Sequence, residues 1–167
     1  MEPVLAQAPA IDATAFKAVL GRFCSGVTVI TALDDGEPVG FACQSFASLS
    51  IDPPLVSFFP AKTSSTWPRI RRAGRFCVNI LADHQIDICR RLGRSGADKF
   101  AGVDWIASSN SSPLLTGALA TIDCELHDEV DGGDHTIVIA RVTGLNEHSD
   151  ATPLLFYRAD FGRLAAQ

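Results

Sequence analysis

The sequence lacks the short motifs that mark several large enzyme classes. It contains no Gly-x-Gly-x-x-Gly segment after a strand-like stretch, no phosphate-binding loop ending in Gly-Lys-Ser or Gly-Lys-Thr, and no Gly-x-Ser-x-Gly turn. A Rossmann-type dinucleotide-binding unit, P-loop phosphoryl transfer and α/β-hydrolase chemistry are therefore disfavoured. The histidines are widely spaced and form no short zinc-binding pattern with the cysteines, so we expect no metal site. They are His84, His127, His135 and His148.

Long apolar runs and an excess of positive charge are also missing. Runs such as Leu55–Phe59 are far too short to cross a bilayer, and Met1–Ala10 has neither the basic residues nor the apolar run of a secretory signal. The net charge of −5 argues against general binding to nucleic acids or anionic membranes, both of which favour a basic surface. We expect a cytoplasmic protein with neither kind of partner.

The cysteines offer no disulfide framework. Their number is odd, and no two are arranged as Cys-x-x-Cys. Four of the five lie among apolar residues, where a reduced cysteine behaves as a small hydrophobic residue. We therefore expect mostly buried thiols in a reducing compartment. The five are Cys24, Cys43, Cys77, Cys89 and Cys124.

What the chain does contain is a series of strand-like segments joined by short turns. With 167 residues, 47% of them hydrophobic, it can bury a core, and we expect one domain over residues 1–167 with residues 1–12 as a flexible arm. The predicted strands are Val27–Leu33, Val39–Ser50 as one or two strands, Leu55–Phe59, Arg75–Leu81, Ala118–Val130, Thr136–His148 and Leu154–Tyr157. The predicted helices are one that Asp12 caps and that extends to Phe23, Thr63–Ala73, and Asp83–Leu92 with Asp83 as its cap.

This order of elements predicts an antiparallel β-barrel with helices at its margins. Residues 93–117 are rich in glycine, serine and asparagine and are predicted to be a long irregular region. A loop of that length inside a compact domain is usually functional or mobile. The tail after Tyr157 shows little pattern.

The segment Gly40–Thr66 is the most informative part of the chain. It places small hydroxyl residues between apolar ones, breaks at Pro53-Pro54, and resumes as an apolar strand that ends in Lys62-Thr-Ser-Ser-Thr66. The second half therefore offers several hydrogen-bond donors and one positive charge. Such a segment could line a flat aromatic ligand at one end and hold its phosphate at the other.

Two further clusters each have a structural and a functional interpretation. The arginines between positions 69 and 75 form either the solvated face of a helix or a grip on a ligand phosphate. Asp131-Gly-Gly-Asp134 is typical of a turn in which glycines supply positive φ angles, or it delivers His135 to the rim of a pocket. The residues alone leave both choices open. The arginines are Arg69, Arg71, Arg72 and Arg75.

Six segments spread over residues 13–163 share the order that they have in one known family. They are Phe23-x-x-Gly-Val-Thr-Val-Ile-Thr31, Ser45-Phe-Ala-Ser-Leu-Ser-Ile-Asp-Pro-Pro-Leu55, Arg75-Phe-Cys-Val-Asn-Ile-Leu81, Asp98-Lys-Phe100, Gly133-Asp-His135 and Pro153-Leu-Leu-Phe-Tyr157. In this order they resemble the short-chain flavin reductases, the NAD(P)H-dependent reductase components of two-component flavin monooxygenases. The likeness is greatest to reductases that serve aromatic-ring hydroxylases.

The resemblance implies a mainly β fold with flanking helices, the FMN-binding split β-barrel, in a homodimer with flavin near the subunit interface. It assigns the flavin ring to Gly40, Phe41, Ala42, Cys43, Gln44, Ser45 and Phe46. It assigns the ribityl and phosphate end to Phe59, Pro60, Ala61, Lys62, Ser64, Ser65 and Thr66, and places Lys99 and Phe100 close to the flavin. The implied nicotinamide nucleotide site comprises His135, Tyr157, Arg158 and Phe161. Cys43-Gln44 departs from the family, in which a small or hydroxyl residue followed by asparagine is common.

The implied reaction needs no catalytic side chain. A hydride passes from C4 of NADH or NADPH to N5 of FMN or FAD, and the protein holds the two rings in contact. The reduced flavin then diffuses to a partner monooxygenase that acts on an aromatic or phenolic substrate. Arg71, Arg72 or Arg158 could meet the 2′-phosphate of NADPH, but the sequence does not require it.

Three other interpretations stay open at the level of sequence. The chain could be a split-barrel flavin-binding protein or a relative of pyridoxamine phosphate oxidase, without diffusible flavin reduction. It could be a binding module that has kept the barrel and lost turnover. It could also be a structural β-barrel in which every motif above is turn and core.

Overall fold

The computed structural model describes residues 10–96 and 98–165, so residues 1–9 of the predicted arm lie outside the described part. The described chain is mainly β with helices at its margins, as predicted. The strands are β1 (Ser25–Gly26), β2 (Thr28–Asp34), β3 (Glu37–Cys43), β4 (Ala47–Ser50), β5 (Leu55–Phe58), β6 (Arg75–Ile80), β7 (Trp105–Ala107), β8 (Pro113–Leu115), β9 (Ala120–Gly132), β10 (His135–Glu147), β11 (Leu155–Tyr157) and β12 (Asp160–Gly162). The helices are α1 (Ala13–Leu20), α2 (Trp67–Ala73) and α3 (Ile86–Leu92), and a 3₁₀ turn (Asp83–Gln85) precedes α3.

Seven strands form one antiparallel sheet in the order β3-β2-β6-β9-β10-β5-β4. Near its middle lies the long hairpin of β9 and β10, whose strands have 13 residues each. Within the described residues the outer strands β3 and β4 are not paired with each other, so the sheet does not close. This is the open arrangement of a split barrel. Two smaller sheets have the orders β1-β11-β12 and β7-β8.

Strand β2 shows where the core lies, because its nearly continuous apolar run is buried on both faces. Ile30 belongs to a cluster with Phe58 and Phe76. Its neighbour Val29 belongs to a second cluster that includes Leu92 at the end of α3. Burying a side chain of this kind stabilises the fold by roughly 1.5–3 kcal/mol. The second cluster therefore holds the carboxyl end of α3 against the sheet, where the loop after it can reach β3.

Both predicted hairpin turns are confirmed. Asp35 and Gly36 have φ angles of 52° and 83°, so two successive residues with positive φ join β2 to β3. Gly133 has a φ of 81° and lies with Asp134 between β9 and β10. The second turn brings the start of β10, His135, back alongside the end of β9.

Several predicted boundaries are wrong. Helix α2 begins at Trp67 rather than Thr63, because residues 63–66 form a loop in which the Ser64 hydroxyl accepts the Trp67 N–H (3.1 Å). Pro68 does lie in the first turn of α2, as predicted. Residues 93–117 are not wholly irregular, since β7 and β8 lie within them, and the tail that showed little pattern contains β12.

The predicted cap of the third helix is also wrong. Asp83 begins the 3₁₀ turn instead, and its carboxylate accepts a hydrogen bond from the Thr152 hydroxyl (2.8 Å). The Gln85 side chain accepts the Ala82 N–H (3.0 Å) and thereby closes this turn. The hydrogen bond between Asp83 and Thr152 cannot be predicted from local sequence spacing, because the two residues are 69 positions apart in the chain.

Helix α1 forms with the predicted cap but ends at Leu20 rather than Phe23, and it does not bury its apolar face. The Asp12 carboxylate accepts the Ala15 N–H (3.0 Å), which is the expected cap. Phe16 is 55% exposed and Phe23 is 81% exposed, and no residue of α1 is buried in the described chain. None of the helices among the described residues is long and apolar enough to cross a membrane.

Candidate functional site

A cavity of about 710 Å³ lies between the end of β3, the loop after β5, the start of β10 and the segment that follows α3. We call it the main cavity. Its volume falls in the range usual for small-molecule and cofactor sites. Two parts of the predicted segment, separated in the chain by β4 and β5, line its wall. The predicted residues that line it are Phe41, Ala42, Cys43, Gln44, Ser45, Phe59, Pro60, Ala61, Ser64, Ser65, Thr66, Lys99 and His135.

Ser45 joins the two stretches of wall. Its hydroxyl accepts the Phe59 N–H (2.9 Å), and the Cys43 sulfur lies 3.2 Å from the same oxygen. The end of β3 is thus tied to the end of β5 by one side chain. Since the hydroxyl is already used in this way, its main effect on a ligand is to hold the wall in place.

Cys43 lines the cavity as a neutral thiol. Only 6% of the residue is exposed, and this burial raises the pKa of its thiol. The predicted burial of cysteines is confirmed here, and Cys77, Cys89 and Cys124 are also buried. All five cysteines are free, with Cys24 exposed. A thiol whose pKa is raised carries little thiolate at neutral pH and so contributes shape rather than charge.

Gly40, Phe46 and Phe100 lie behind the cavity wall. A Cβ placed on Gly40 would come within 2.9 Å of the Ile30 carbonyl oxygen and 3.3 Å of the Phe100 ring, so only glycine permits this close packing. Phe46 and Phe100 pack against the two core clusters. These residues therefore contribute to packing next to the wall and do not line the main cavity.

Lys62 does not line the main cavity and forms an ion pair with Asp131 at the end of β9. Hydrogen bonding to the Lys62 ammonium lowers the pKa of the Asp131 carboxyl. The Lys62 backbone N–H also donates to the Asp134 carbonyl (2.9 Å). These contacts fasten the β9–β10 turn to the loop after β5, and the predicted phosphate donor therefore has a carboxylate partner instead.

Lys99 has a different environment. The half-buried ammonium donates to the Thr66 hydroxyl (3.2 Å) and lies near the carbonyl oxygens of Leu92 (3.4 Å) and Gly40 (3.5 Å). In residues 10–96 and 98–165 it forms no ion pair with a carboxylate. Burial lowers the pKa of Lys99 because the charged form loses part of its hydration. An anion in the main cavity would relieve this cost.

His135 stands at the rim, at the start of β10. Its backbone forms a bridge with Ala61, and its Nδ1 lies 2.7 Å from the Asp134 carboxylate. This hydrogen bond lowers the pKa of the Asp134 carboxyl and orients the ring. The other ring nitrogen, Nε2, has no hydrogen-bond partner in the part of the chain that the structure describes and can meet a ligand. The turn thus does bring His135 to the cavity, which was one of the two interpretations of this segment.

The arginines between 69 and 75 do not line the main cavity. Arg69 and Arg72 both bind the buried Asp34 carboxylate (2.5 and 2.6 Å), and Arg71 binds Glu129 (2.5 Å). Hydrogen bonds from Arg69 and then Arg72 hold the pKa of the Asp34 carboxyl below its usual range. Arg69 and Arg72 therefore join α2 to the β2–β3 hairpin, and Arg71 joins it to β9, so these three are more than a solvated helix face.

Among the predicted nicotinamide residues, only His135 lines the main cavity. Phe161 lines a second cavity of about 450 Å³, which shares Ala42–Gln44 and Gly93–Arg94 with the first. Tyr157 and Arg158 line neither of these two cavities. Arg158 has a φ of 52° and donates its backbone N–H to the Gly21 carbonyl (2.9 Å).

Sequence reasoning missed the segment after α3. The last residue of α3 and the three that follow it, Leu92–Ser95, line the main cavity, as do Gly132 and Ile137. Thr63 also lines it and belongs to the predicted segment for the phosphate end. The glycine- and serine-rich composition of residues 93–117 did suggest a functional loop, but it did not indicate which residues face a ligand. The packing of α3 on the sheet, through Leu92, decides which residues of this segment line the cavity.

Comparison with known proteins relates this chain to one family. Residues 20–165 match the model of the flavin reductase like domain. The chain is 56% identical over 154 residues to the flavin-dependent monooxygenase reductase subunit HsaB of Rhodococcus jostii, an alignment that covers 92% of this chain and 79% of that protein.

Solved structures agree with this assignment. Nitrilotriacetate monooxygenase component B of Mycobacterium thermoresistibile has a TM-score of 0.90 and 52% identity, with 95% of this chain and 89% of that chain covered. The NADH:FAD oxidoreductase SgcE6 of Streptomyces globisporus, solved with NAD and FAD fragments, has a TM-score of 0.87 and 33% identity, with 95% and 98% covered. The family match, the sequence identity and the shared fold together show that this chain belongs to the flavin reductase family.

Proposed function

We propose that this chain is the reductase component of a two-component flavin-dependent monooxygenase. It uses NADH or NADPH to reduce FMN or FAD and releases the reduced flavin to a partner oxygenase that acts on an aromatic or phenolic substrate. Residues 1–167 act as one flavin reductase-like domain. The observation that carries the proposal is Lys99, a half-buried cation with neutral oxygen partners on the wall of the main cavity. Its position next to Thr66 suits a phosphate.

The residues of the main cavity fit a flavin mononucleotide in shape and charge. Phe41–Gln44 would lie along the ring, since β3 is an edge strand and keeps only the backbone groups of its outer edge for the ring's carbonyls and nitrogens. Ser64–Thr66 and Lys99 would bind the ribityl and phosphate end. Lys62 would act only indirectly, because its charge is taken up by Asp131.

The nicotinamide nucleotide would enter beside His135. A bound flavin would supply the chemistry itself, because N5 can take a hydride from C4 of the reduced nicotinamide without a protein acid or nucleophile. His135 Nε2 would donate to or accept from the nucleotide and hold it in place, with Asp134 fixing the ring. The protein thus contributes contact and orientation between the two rings.

The arrangement also suits a flavin that leaves after reduction. The phosphate end would meet hydroxyl groups and one lysine, with Arg94 the other cation on the cavity wall, whereas a tightly retained phosphate usually meets several charged donors. We therefore expect moderate flavin affinity. A reduced flavin held too tightly could not reach a partner oxygenase.

Two further features of the proposal concern assembly and location. We propose a homodimer, supported by the exposed apolar residues of α1 and the segment after it, among them Phe16, Val19 and Phe23. We also propose a cytoplasmic location, supported by five free cysteines, four of them buried.

The direct test follows NADH and NADPH absorbance with purified protein, with and without added FMN, FAD or riboflavin. The proposal expects oxidation that depends on added flavin. A yellow chromophore that stays bound through gel filtration and supports no turnover would favour the split-barrel or pyridoxamine phosphate oxidase-like alternative. If neither flavin binding nor oxidation is seen, the proposal is wrong.

A further inference from the structure

Lys99 and Phe100 are consecutive residues whose side chains contact the same glycine. The Lys99 ammonium lies 3.5 Å from the Gly40 carbonyl oxygen. The Phe100 ring lies so close to Gly40 that a Cβ added there would come within 3.3 Å of it. Gly40 belongs to β3, the edge strand whose end lines the main cavity. The lysine proposed to bind the phosphate and its neighbour therefore both rest on the strand that forms this part of the wall.

The contacts of the Lys99 side chain are weak ones for a cation. Its ammonium is partly buried, and the oxygens of Thr66, Leu92 and Gly40 lie 3.2–3.5 Å from it, which is long for hydrogen bonds to a charged group. A long, flexible side chain in such surroundings gains both hydration and conformational entropy by turning into solvent. The position of Lys99 at the wall therefore depends on how firmly its backbone is held.

Phe100 anchors that backbone. Its ring packs against the second cluster, which includes Val29, Leu92 and Val103. An aromatic ring buries a large apolar area, so this packing fixes the residue strongly. Leu92 is also the residue whose carbonyl oxygen lies near the Lys99 ammonium, so the end of α3 contacts both side chains.

The chain just after Phe100 is fastened to α3 as well. The Arg91 side chain on α3 donates to the Ala101 carbonyl, and Gly102 has a φ of 68°, which turns the chain. Because Lys99 and Phe100 share a peptide bond, loss of the ring's packing would loosen the Lys99 backbone. The Arg91 contact holds the chain two residues further on and does not replace the ring.

We propose that Phe100 is a positioning residue for the flavin phosphate, since its packing on Gly40 and the second cluster holds the Lys99 ammonium at the cavity wall before the ligand binds. Phe100 itself does not line the main cavity. A lysine that is ordered during folding loses less conformational entropy when it binds a phosphate. The inference rests on the proposed function and deepens it, because it assigns the preference for a phosphorylated flavin over riboflavin to packing next to the wall.

The experiment compares FMN with riboflavin, which differ by the phosphate. Phe100→Ala removes the ring, and Phe100→Leu keeps part of its apolar volume. Lys99→Met, alone and combined with Phe100→Ala, completes a double-mutant cycle. Ile86→Ala is the matched control, because Ile86 is another partly buried side chain that packs against the second cluster and does not line the main cavity. Flavin fluorescence titration measures each Kd without turnover, and thermal unfolding checks that each variant is folded.

Phe100→Ala should lower the FMN-to-riboflavin affinity ratio about fivefold and Phe100→Leu about threefold, because a loosened lysine binds phosphate less well. Adding Phe100→Ala to Lys99→Met should lower the ratio no further. Ile86→Ala should leave the ratio unchanged even where it lowers thermal stability. If Phe100→Ala does not fold, Phe100→Leu in the same cycle gives the comparison.

The inference is overturned if folded Phe100 variants keep the ratio of the unchanged protein. It is also overturned if the Phe100 change lowers the ratio equally with and without Lys99, or if Ile86→Ala lowers it as much. Absence of NADH oxidation by the unchanged protein would contradict the proposed function alone, since both flavin affinities are measured without turnover.

Discussion

The cations around the main cavity fall into two groups with opposite environments. On the outer side, Lys62, Arg69, Arg71 and Arg72 each bind a carboxylate, and we call these the paired cations. On the inner wall, Lys99 is surrounded by the oxygens of Thr66, Leu92 and Gly40, all of them neutral. A carboxylate satisfies a cation within the free protein, whereas neutral oxygens satisfy it only in part. The paired cations therefore hold elements together, whereas Lys99, and the exposed Arg94 that also lines the main cavity, are placed to bind an anionic ligand.

The largest effect is expected from Lys99→Met, which keeps the length of the side chain and removes its charge. The Kd for FMN should rise about tenfold or more, because a hydrogen bond to a charged group contributes about 1.5–3 kcal/mol. The Kd for riboflavin, which lacks the phosphate, should change much less. Fluorescence titration of both ligands measures the difference. Equal weakening of FMN and riboflavin would place Lys99 at the ring and not at the phosphate.

Asp34→Asn should lower thermal stability by several degrees at neutral pH while leaving the Kd for FMN within about twofold. The variant removes the charge that binds Arg69 and Arg72 at the junction of α2 and the β2–β3 hairpin. Differential scanning calorimetry and FMN titration on the same samples measure both quantities. A large loss of FMN affinity with an unchanged melting temperature would contradict the division into two groups.

The same variant has a defined pH dependence. The pKa of Asp34 is lowered in the folded protein, so its contribution to stability is complete above the ordinary carboxyl pKa of about 3.9 and is lost as the pH falls through the lowered value. The melting-temperature gap between the unchanged protein and Asp34→Asn should therefore be full at pH 6–7, as an approximate range, and should shrink below about pH 4. A gap that is constant down to strongly acidic pH would show that the charge of Asp34 is not what stabilises the junction.

His135→Ala should raise the KM for NADH about fivefold, with a smaller change in kcat. His135 lines the cavity through a ring that Asp134 orients, so its loss removes a contact to the nucleotide and leaves the flavin wall intact. Steady-state kinetics at saturating FMN separate the two constants. If the KM for NADH does not change, the assignment of His135 to the nicotinamide nucleotide is wrong.

The smallest effect is expected from Lys62→Met, which is the matched control for Lys99→Met. Its ion pair with Asp131 is exposed, and such pairs contribute roughly 0–1 kcal/mol. FMN affinity should stay within about twofold, since the side chain does not line the main cavity. If Lys62→Met weakens FMN as strongly as Lys99→Met does, the contrast between the two lysines fails.

Much of the fold follows from local pattern. The β-branched run of β2, the Asp-Asp-Gly36 turn and the long β9–β10 hairpin were predicted because strand period and turn chemistry act over a few residues. The start of α2 and the cap before α3 were not, because Ser64 and Thr152 settle them through side-chain hydrogen bonds that spacing does not reveal. Strand β12 is only three residues long and pairs with β11 across a two-residue turn, which leaves little signal.

By itself, the sequence determined the family, the strand order along the chain and most of the residues that line the main cavity, because these depend on local motifs in a fixed order. The tertiary structure decided how each side chain is used. Lys62 and Lys99 are chemically identical, yet one lies beside Asp131 and the other beside Thr66. A cation's role depends on which groups surround it within a few ångströms, and those groups come from strands and loops far apart in the chain.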